Sequence, residues 1–169
     1  MRETNTPAPN FTLPDLSGNS VSLSDFHGEI ILLNFWSAEC PWASRVDPLL
    51  LSFIDEWQGR VRLISVAPNA NEPLELLRSV AEERGLPLVL HDAERTVTEQ
   101  YDAQTTPHLY VIDAEGVLRY QGGFDDVTFR NRTPSRTYVK EVVDALLAGD
   151  ALPLTEMPPY GCTIVFYPE

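Results

Sequence analysis

The chain has 169 residues, 43% hydrophobic and 22% charged, with a formal net charge of -13. That length lets one domain bury a core without covalent staples, and the acidic balance speaks against nucleic acid or an anionic membrane as partner, since both draw basic surfaces. No run reaches the ~18 apolar residues of a membrane span. The opening "MRETNTPAPNF" lacks the apolar centre of a signal peptide. The expectation is a cytoplasmic protein in this form, periplasmic or extracytoplasmic if an export segment precedes it. Lys140 is the only lysine, and four arginines fall between Arg119 and Arg136, which reads as a solvated surface loop. Two cysteines, Cys40 and Cys162, are too few for a disulfide scaffold. With three histidines, no metal cluster can be assembled from the spacings, and no cofactor is called for.

In chain order, "FTLPDLSGNSVSLSDF" reads as two short extended pieces around a Ser17-Gly18-Asn19 turn, a hairpin. Gly28 releases a buried strand, Glu29 to Trp36, whose continuous apolar run places it centrally in a sheet. Trp42, Val46, Leu49, Leu50, Phe53, Ile54 and Trp57 then recur at helical spacing, with Pro48 kinking that helix by removing a backbone donor. "VRLISVAP" is a second buried strand. Asn71 is the expected cap of a helix that buries Leu74, Leu77 and Ala81 and stops at Gly85. "LPLVL" is a short strand, and Asp92 the expected cap of a short helix to Tyr101. "PHLYVID", the turn "DAEG" and "VLRYQGG" form a hairpin, ending at Asp125-Asp126 in what reads as a solvated turn. Thr133 or Ser135 is expected to cap a last helix that ends at Gly149. Prolines 153, 158, 159 and 168 keep the remainder from being helical. Alternating strands and helices imply an α/β fold with a mixed central sheet and helices on both faces.

Cys40 stands where a buried strand meets a helix. It falls at or beside the N-cap, with Pro41 pre-set for the first helical position. Free backbone donors and the helix dipole there favour thiolate, the reactive form. Glu39 and the bulk of Trp42 act the other way. Read locally, Cys40 is either an activated thiol or a small buried hydrophobe. His27, His91 and His108 are scattered and read as structural.

Three blocks carry a resemblance: "APNFTLPDLSGNSVSLSDFHGEIILLNFW" running into "LLNFWSAECPWA", "TTPHLYVIDAEGVLRYQGGFDD", and "ALLAGDALPLTEMPPYGCTIVF". In this order they resemble the thioredoxin superfamily. The branch is that of redoxins related to alkyl hydroperoxide reductase/thiol-specific antioxidant proteins and bacterial thiol–disulfide oxidoreductases. The resemblance implies a thioredoxin-like fold with an N-terminal β-hairpin extension over 1–149 and a Pro-rich tail, 150–169, packed on it. It makes Cys40 the nucleophile and Thr106-Pro107 the cis-proline element that packs against it and offers an edge to an extended substrate. Trp42, Ser37 and Thr106 become candidate substrate-binding residues. The implied partners are protein or small-molecule thiols and disulfides, or peroxide.

The departures define the alternatives. Relatives of this kind carry Cys-x-x-Cys, whereas this chain reads Cys40-Pro41-Trp42-Ala43, so no disulfide closes within the turn. Asn34 stands where thioredoxins have a buried acid. Ser37 fits the Thr/Ser that peroxiredoxins place before their cysteine, but Leu33 replaces their proline, which favours disulfide exchange over peroxide reduction. Cys162 is either a resolving thiol that replaces the missing partner or packing in a short strand. The whole chain is accordingly a one-cysteine or tail-resolved oxidoreductase, or a thioredoxin-fold binding module that has lost turnover.

Overall fold

A computed structural model describes residues 2–167; the last two tail residues, Pro168 among them, lie outside that range. Strands β1 (Thr6–Pro7), β2 (Thr12–Pro14) and β3 (Ser20–Ser22) precede a 3-10 turn at Leu23–Phe26. There follow β4 (Ile30–Phe35), α1 (Pro41–Glu56), β5 (Val61–Ala67), α2 (Leu74–Arg84), β6 (Val89–His91) and α3 (Thr96–Gln100). The chain closes with β7 (Thr105–Thr106), β8 (His108–Ile112), β9 (Val117–Gly122), α4 (Tyr138–Ala148) and β10 (Cys162–Thr163).

The main sheet has the order β1-β9-β8-β4-β5-β6. β4, β5 and β6 run parallel, while β8, β9 and β1 are antiparallel to their neighbours. β4 is central, as its unbroken apolar run requires, because both of its faces are covered. Ile31, Leu33 and Phe35 point into one core with Phe11, Leu13 and Tyr101, beneath the β2–β3 hairpin and α3. Leu32 points the other way, against Val46 and Leu50 of α1 and Val139 and Val142 of α4. Each fully buried aliphatic side chain of this kind contributes roughly 1.5–3 kcal/mol of transfer free energy.

Several local expectations are corrected. α2 begins after Pro73, not Asn71. α4 begins after Thr137, because Ser135 is occupied in bonding Asp126 through both its backbone N–H and its hydroxyl. Arg95 holds the N-cap position of α3, but the Asp92 carboxylate accepts from the N–H groups of Val97 and Thr98 and so supplies the cap from outside. α1 continues past Pro48 to Glu56. Its buried face is Ala43, Val46, Asp47 and Leu50, while Leu49 is exposed. Asp125 is not a solvated turn residue: it is buried and paired with Arg45 at 2.6 Å. In the arginine-bearing segment, Arg119 pairs with Asp113 and Arg136 with Glu141, so its positive charge is partly neutralised. Gly85 ends α2 in the left-handed region, φ 70°, a conformation open to glycine at little cost.

Candidate active site

Cys40 is the N-cap residue of α1, with extended φ and ψ of -78° and 120°, and Pro41 opens the helix. The turn before it is held from two directions. On one side the Ser37 hydroxyl donates to the Glu72 carboxylate and accepts the Cys40 N–H at 3.2 Å. Glu72 also accepts the Ala38 N–H at 2.9 Å and an Asn69 side-chain N–H at 3.2 Å. On the other side Asp47 accepts from Trp36 Nε1 and from Arg84 Nη1, each at 2.8 Å, and Arg84 Nη2 donates to the Ala38 carbonyl. Burial pushes the Asp47 carboxyl above its usual range, opposed by the bonds from Arg84 and Trp36. A buried acid with such partners fixes geometry, since leaving either partner unpaired is costly.

The Thr106-Pro107 peptide is cis. Its edge faces Cys40: the sulfur lies 3.1 Å from the Thr106 carbonyl oxygen, which would accept from the thiol of the reduced protein. β7 presents this edge, and β10 of the tail pairs with it antiparallel, Cys162 opposite Thr106 and Thr163 opposite Thr105. Cys40 and Cys162 are joined as a disulfide, with Cα atoms 6.1 Å apart and a sequence separation of 122. That separation lies within the span a disulfide bridges.

The tail reaches this place along a defined track. The Met157 N–H donates to the Gln121 carbonyl and the Gln121 N–H to the Thr155 carbonyl, which lays the tail against β9. A Cβ on Gly122 would fall on the Met157 carbonyl, and one on Gly123 would meet the Pro158 carbonyl at 3.0 Å. Tyr160 sets its ring edge-on to Trp42, centroids 4.8 Å apart, and accepts the Phe129 N–H through its hydroxyl. Beyond the disulfide, the Val165 N–H donates to Asn69 Oδ1 and the Val165 carbonyl accepts the Ala70 N–H. Asn69 thus touches both the tail and Glu72.

Of the residues singled out from sequence, Cys40, Thr106, Pro107 and Cys162 converge on one spot. Trp42 faces the tail. Ser37 is buried, and its hydroxyl is taken by Glu72 and the Cys40 backbone. Sequence reasoning passed over Glu72, Asn69 and Tyr160. Glu72 is 35 positions from Ser37, beyond any local spacing rule; the Gly-Cys pair of the tail was the one visible signal. His108 is buried behind the edge, accepting the Gln104 N–H on Nδ1, and burial pushes it down to about 4, so it is neutral near pH 7. Among the described residues no group of three or more His, Cys, Asp or Glu side chains is placed to hold a metal, and no helix is long and apolar enough to cross a membrane.

The family model described as AhpC/TSA matches residues 4–121, which include Cys40, Thr106 and Pro107 and leave Cys162 outside. The thiol–disulfide oxidoreductase ResA of Halalkalibacterium halodurans is 33% identical over 66% of this chain and 63% of its own length. This chain spans 61% to 66% of the length of its ResA and thioredoxin-like relatives from Bacillus, Geobacillus and Halalkalibacterium. Among solved structures, a Geobacillus kaustophilus protein superposes with a TM-score of 0.90 at 28% identity, covering 100% of this chain and 95% of that one. The thioredoxin domain of a Bacteroides vulgatus thiol-disulfide oxidoreductase superposes at 0.65 and 27% identity, covering 78% of this chain and 94% of that one. The thioredoxin-like fold is therefore shared, and the whole chain including its tail has a full-length counterpart.

Proposed function

The chain belongs to the AhpC/TSA family, and from that premise we propose that it is a thiol–disulfide oxidoreductase whose two working cysteines are Cys40 and Cys162. The observation that carries this is the Cys40–Cys162 bond at the cis-proline edge. In the reduced protein the Cys40 thiolate, favoured by the α1 N-terminus, attacks one sulfur of a substrate disulfide. The substrate S–S bond breaks, a mixed disulfide forms on Cys40, and the other substrate sulfur leaves as thiolate with the electron pair. The Cys162 thiolate then attacks the Cys40 sulfur and releases the second substrate thiol. Two substrate thiols are gained and the Cys40–Cys162 bond is formed; an external dithiol reduces it again.

In this reading the absence of a thiol at Ala43 is no defect, because the tail supplies the partner, and the binding-module alternative loses its motive. The commitment of Ser37 to Glu72, with Leu33 wholly buried in β4, supports disulfide exchange over peroxide as the substrate chemistry. Protein or small-molecule disulfides are the substrates proposed. The test is thiol counting. Reduced protein exposed to one equivalent of a small aromatic disulfide should lose both thiols as a monomer, with a Cys40–Cys162 linked peptide in the digest. Cys162→Ser should instead retain the mixed disulfide on Cys40. A Cys40 that does not react in the folded reduced protein would sink the proposal.

A further inference from the structure

The tail shows what kind of chain the edge accepts. Gly161 precedes the bonded cysteine, and its φ is ordinary, outside the left-handed region that most of the glycines here occupy. It is therefore not glycine for the sake of a turn. A Cβ built on it would fall on the Thr106 carbonyl oxygen, with the Thr106 carbonyl carbon at 2.7 Å and Pro107 Cδ at 3.0 Å. These are main-chain and ring atoms, which cannot swing aside as the end of a flexible side chain can. The position admits no side chain.

Any external cysteine that bonds Cys40 faces the same constraint. Cys40 is 3% exposed and its sulfur lies against Thr106 O at 3.1 Å. A disulfide fixes the partner's Cα within about 4.4–6.8 Å of that of Cys40, the range in which Cys162 sits. A polypeptide that pairs with the Thr106 edge at that distance lays its preceding residue where Gly161 lies. Resting on the oxidoreductase reading above, we propose that the substrates of Cys40 are extended polypeptide segments with glycine immediately before the reacting cysteine. The tail segment Tyr160-Gly161-Cys162-Thr163 is the built-in member of that class. An aromatic residue before the glycine would add the Trp42 contact that Tyr160 makes. Substrate and tail then compete for one edge, so the attack of Cys162 that resolves the mixed disulfide also puts the tail back in the place of the product.

The test uses full-length reduced Cys162→Ser and two blocked peptides, Tyr-Gly-Cys-Thr and Tyr-Ala-Cys-Thr, each carrying thionitrobenzoate on its cysteine. Cys40 attacks the peptide sulfur, the mixed disulfide forms, and thionitrobenzoate leaves as a coloured thiolate. Rates are divided by those of a small free thiol with the same peptides, which removes any intrinsic difference. The glycine peptide should react at least 10-fold faster than the alanine peptide. Equal rates, or a faster alanine peptide, overturn the glycine rule while Cys40 still turns over, so the oxidoreductase reading stands. If Cys40 reacts with neither peptide nor with the free aromatic disulfide, the oxidoreductase reading fails and the glycine rule with it. A second measurement uses the native cysteines: Gly161→Ala should slow closure of the Cys40–Cys162 bond at least 10-fold, and unchanged closure overturns the rule.

Discussion

Cys162 stands opposite Thr106 across the β10–β7 ladder, with its sulfur bonded to Cys40. The residue that pairs with the cis-proline edge and the residue that stores the oxidising equivalent are the same one.

The disulfide closes a loop that spans most of the chain, and in the chain-entropy model a cross-link over a loop of that length restricts the unfolded state by about 5 kcal/mol. Reduction should lower the urea midpoint by a corresponding amount without unfolding the protein, because the buried residues of the two cores flanking β4 all precede the tail, which adds only partly buried Leu152, Leu154 and Met157 at one of them. Cys162→Ser should show the lower midpoint and no response to reductant. A midpoint that is the same in both redox states would contradict the tie.

Tyr160 meets Trp42 edge-on at 4.8 Å, a contact worth ~1 kcal/mol beyond area burial. Tyr160→Ala should loosen the docked tail and make the disulfide easier to reduce, raising its potential by about 20 mV. Equilibration against glutathione or dithiothreitol reads this directly. An unchanged potential would mean that the ring pair does not hold the tail.

Removing the Ser37 hydroxyl leaves the Cys40 N–H and the buried Glu72 carboxylate without that partner. Ser37→Ala should cost roughly 1–3 kcal/mol of stability and change the alkylation rate of Cys40 in the reduced protein. Ser37→Thr, which keeps the hydroxyl, should recover most of both. Full stability in the alanine variant would show that the turn does not lean on Ser37.

Positions 40 and 43 lie on one face of α1, one turn apart. Ala43 is wholly buried, so Ala43→Cys should cost on the order of 1–3 kcal/mol through overpacking. The thiol introduced there competes with Cys162. Oxidised Ala43→Cys protein should therefore carry a bond from Cys40 to that new thiol, with Cys162 free. Peptide mapping distinguishes this outcome from a variant that keeps the native bond.

His108 sets an acid limit. Burial holds it at about 4 in the folded protein, against ~6.5 in an unfolded chain. A lowered folded value means the unfolded state binds the proton first. This contribution is fully present above about pH 6.5 and is lost as pH falls toward about 4. It amounts to on the order of 3 kcal/mol. Urea titrations at pH 7 and pH 4.5 should show the loss, and His108→Gln should flatten it; an identical slope in that variant would assign the acid sensitivity elsewhere.

Linear pattern was enough to establish the order of strands and helices, the central place of β4, and the meeting of strand, cysteine and proline at Cys40. Those features are set by local periodicity and backbone chemistry, which a sequence carries on its face. Resemblance marked Thr106-Pro107 and the Gly-Cys pair of the tail. Whether Cys162 reaches Cys40 stayed open. That depends on where an extended segment of prolines docks, and prolines specify extension without direction. The helix starts after Pro73 and Thr137 were also hidden, because Glu72 and Ser135 were drawn to distant partners. Asp47 carries no local mark of burial, and it is Trp36 and Arg84 that close over it in the folded protein. Each of these rests on groups brought together by packing across the sheet, and by a tail that finds its pairing edge at β7, so the folded molecule alone could settle them.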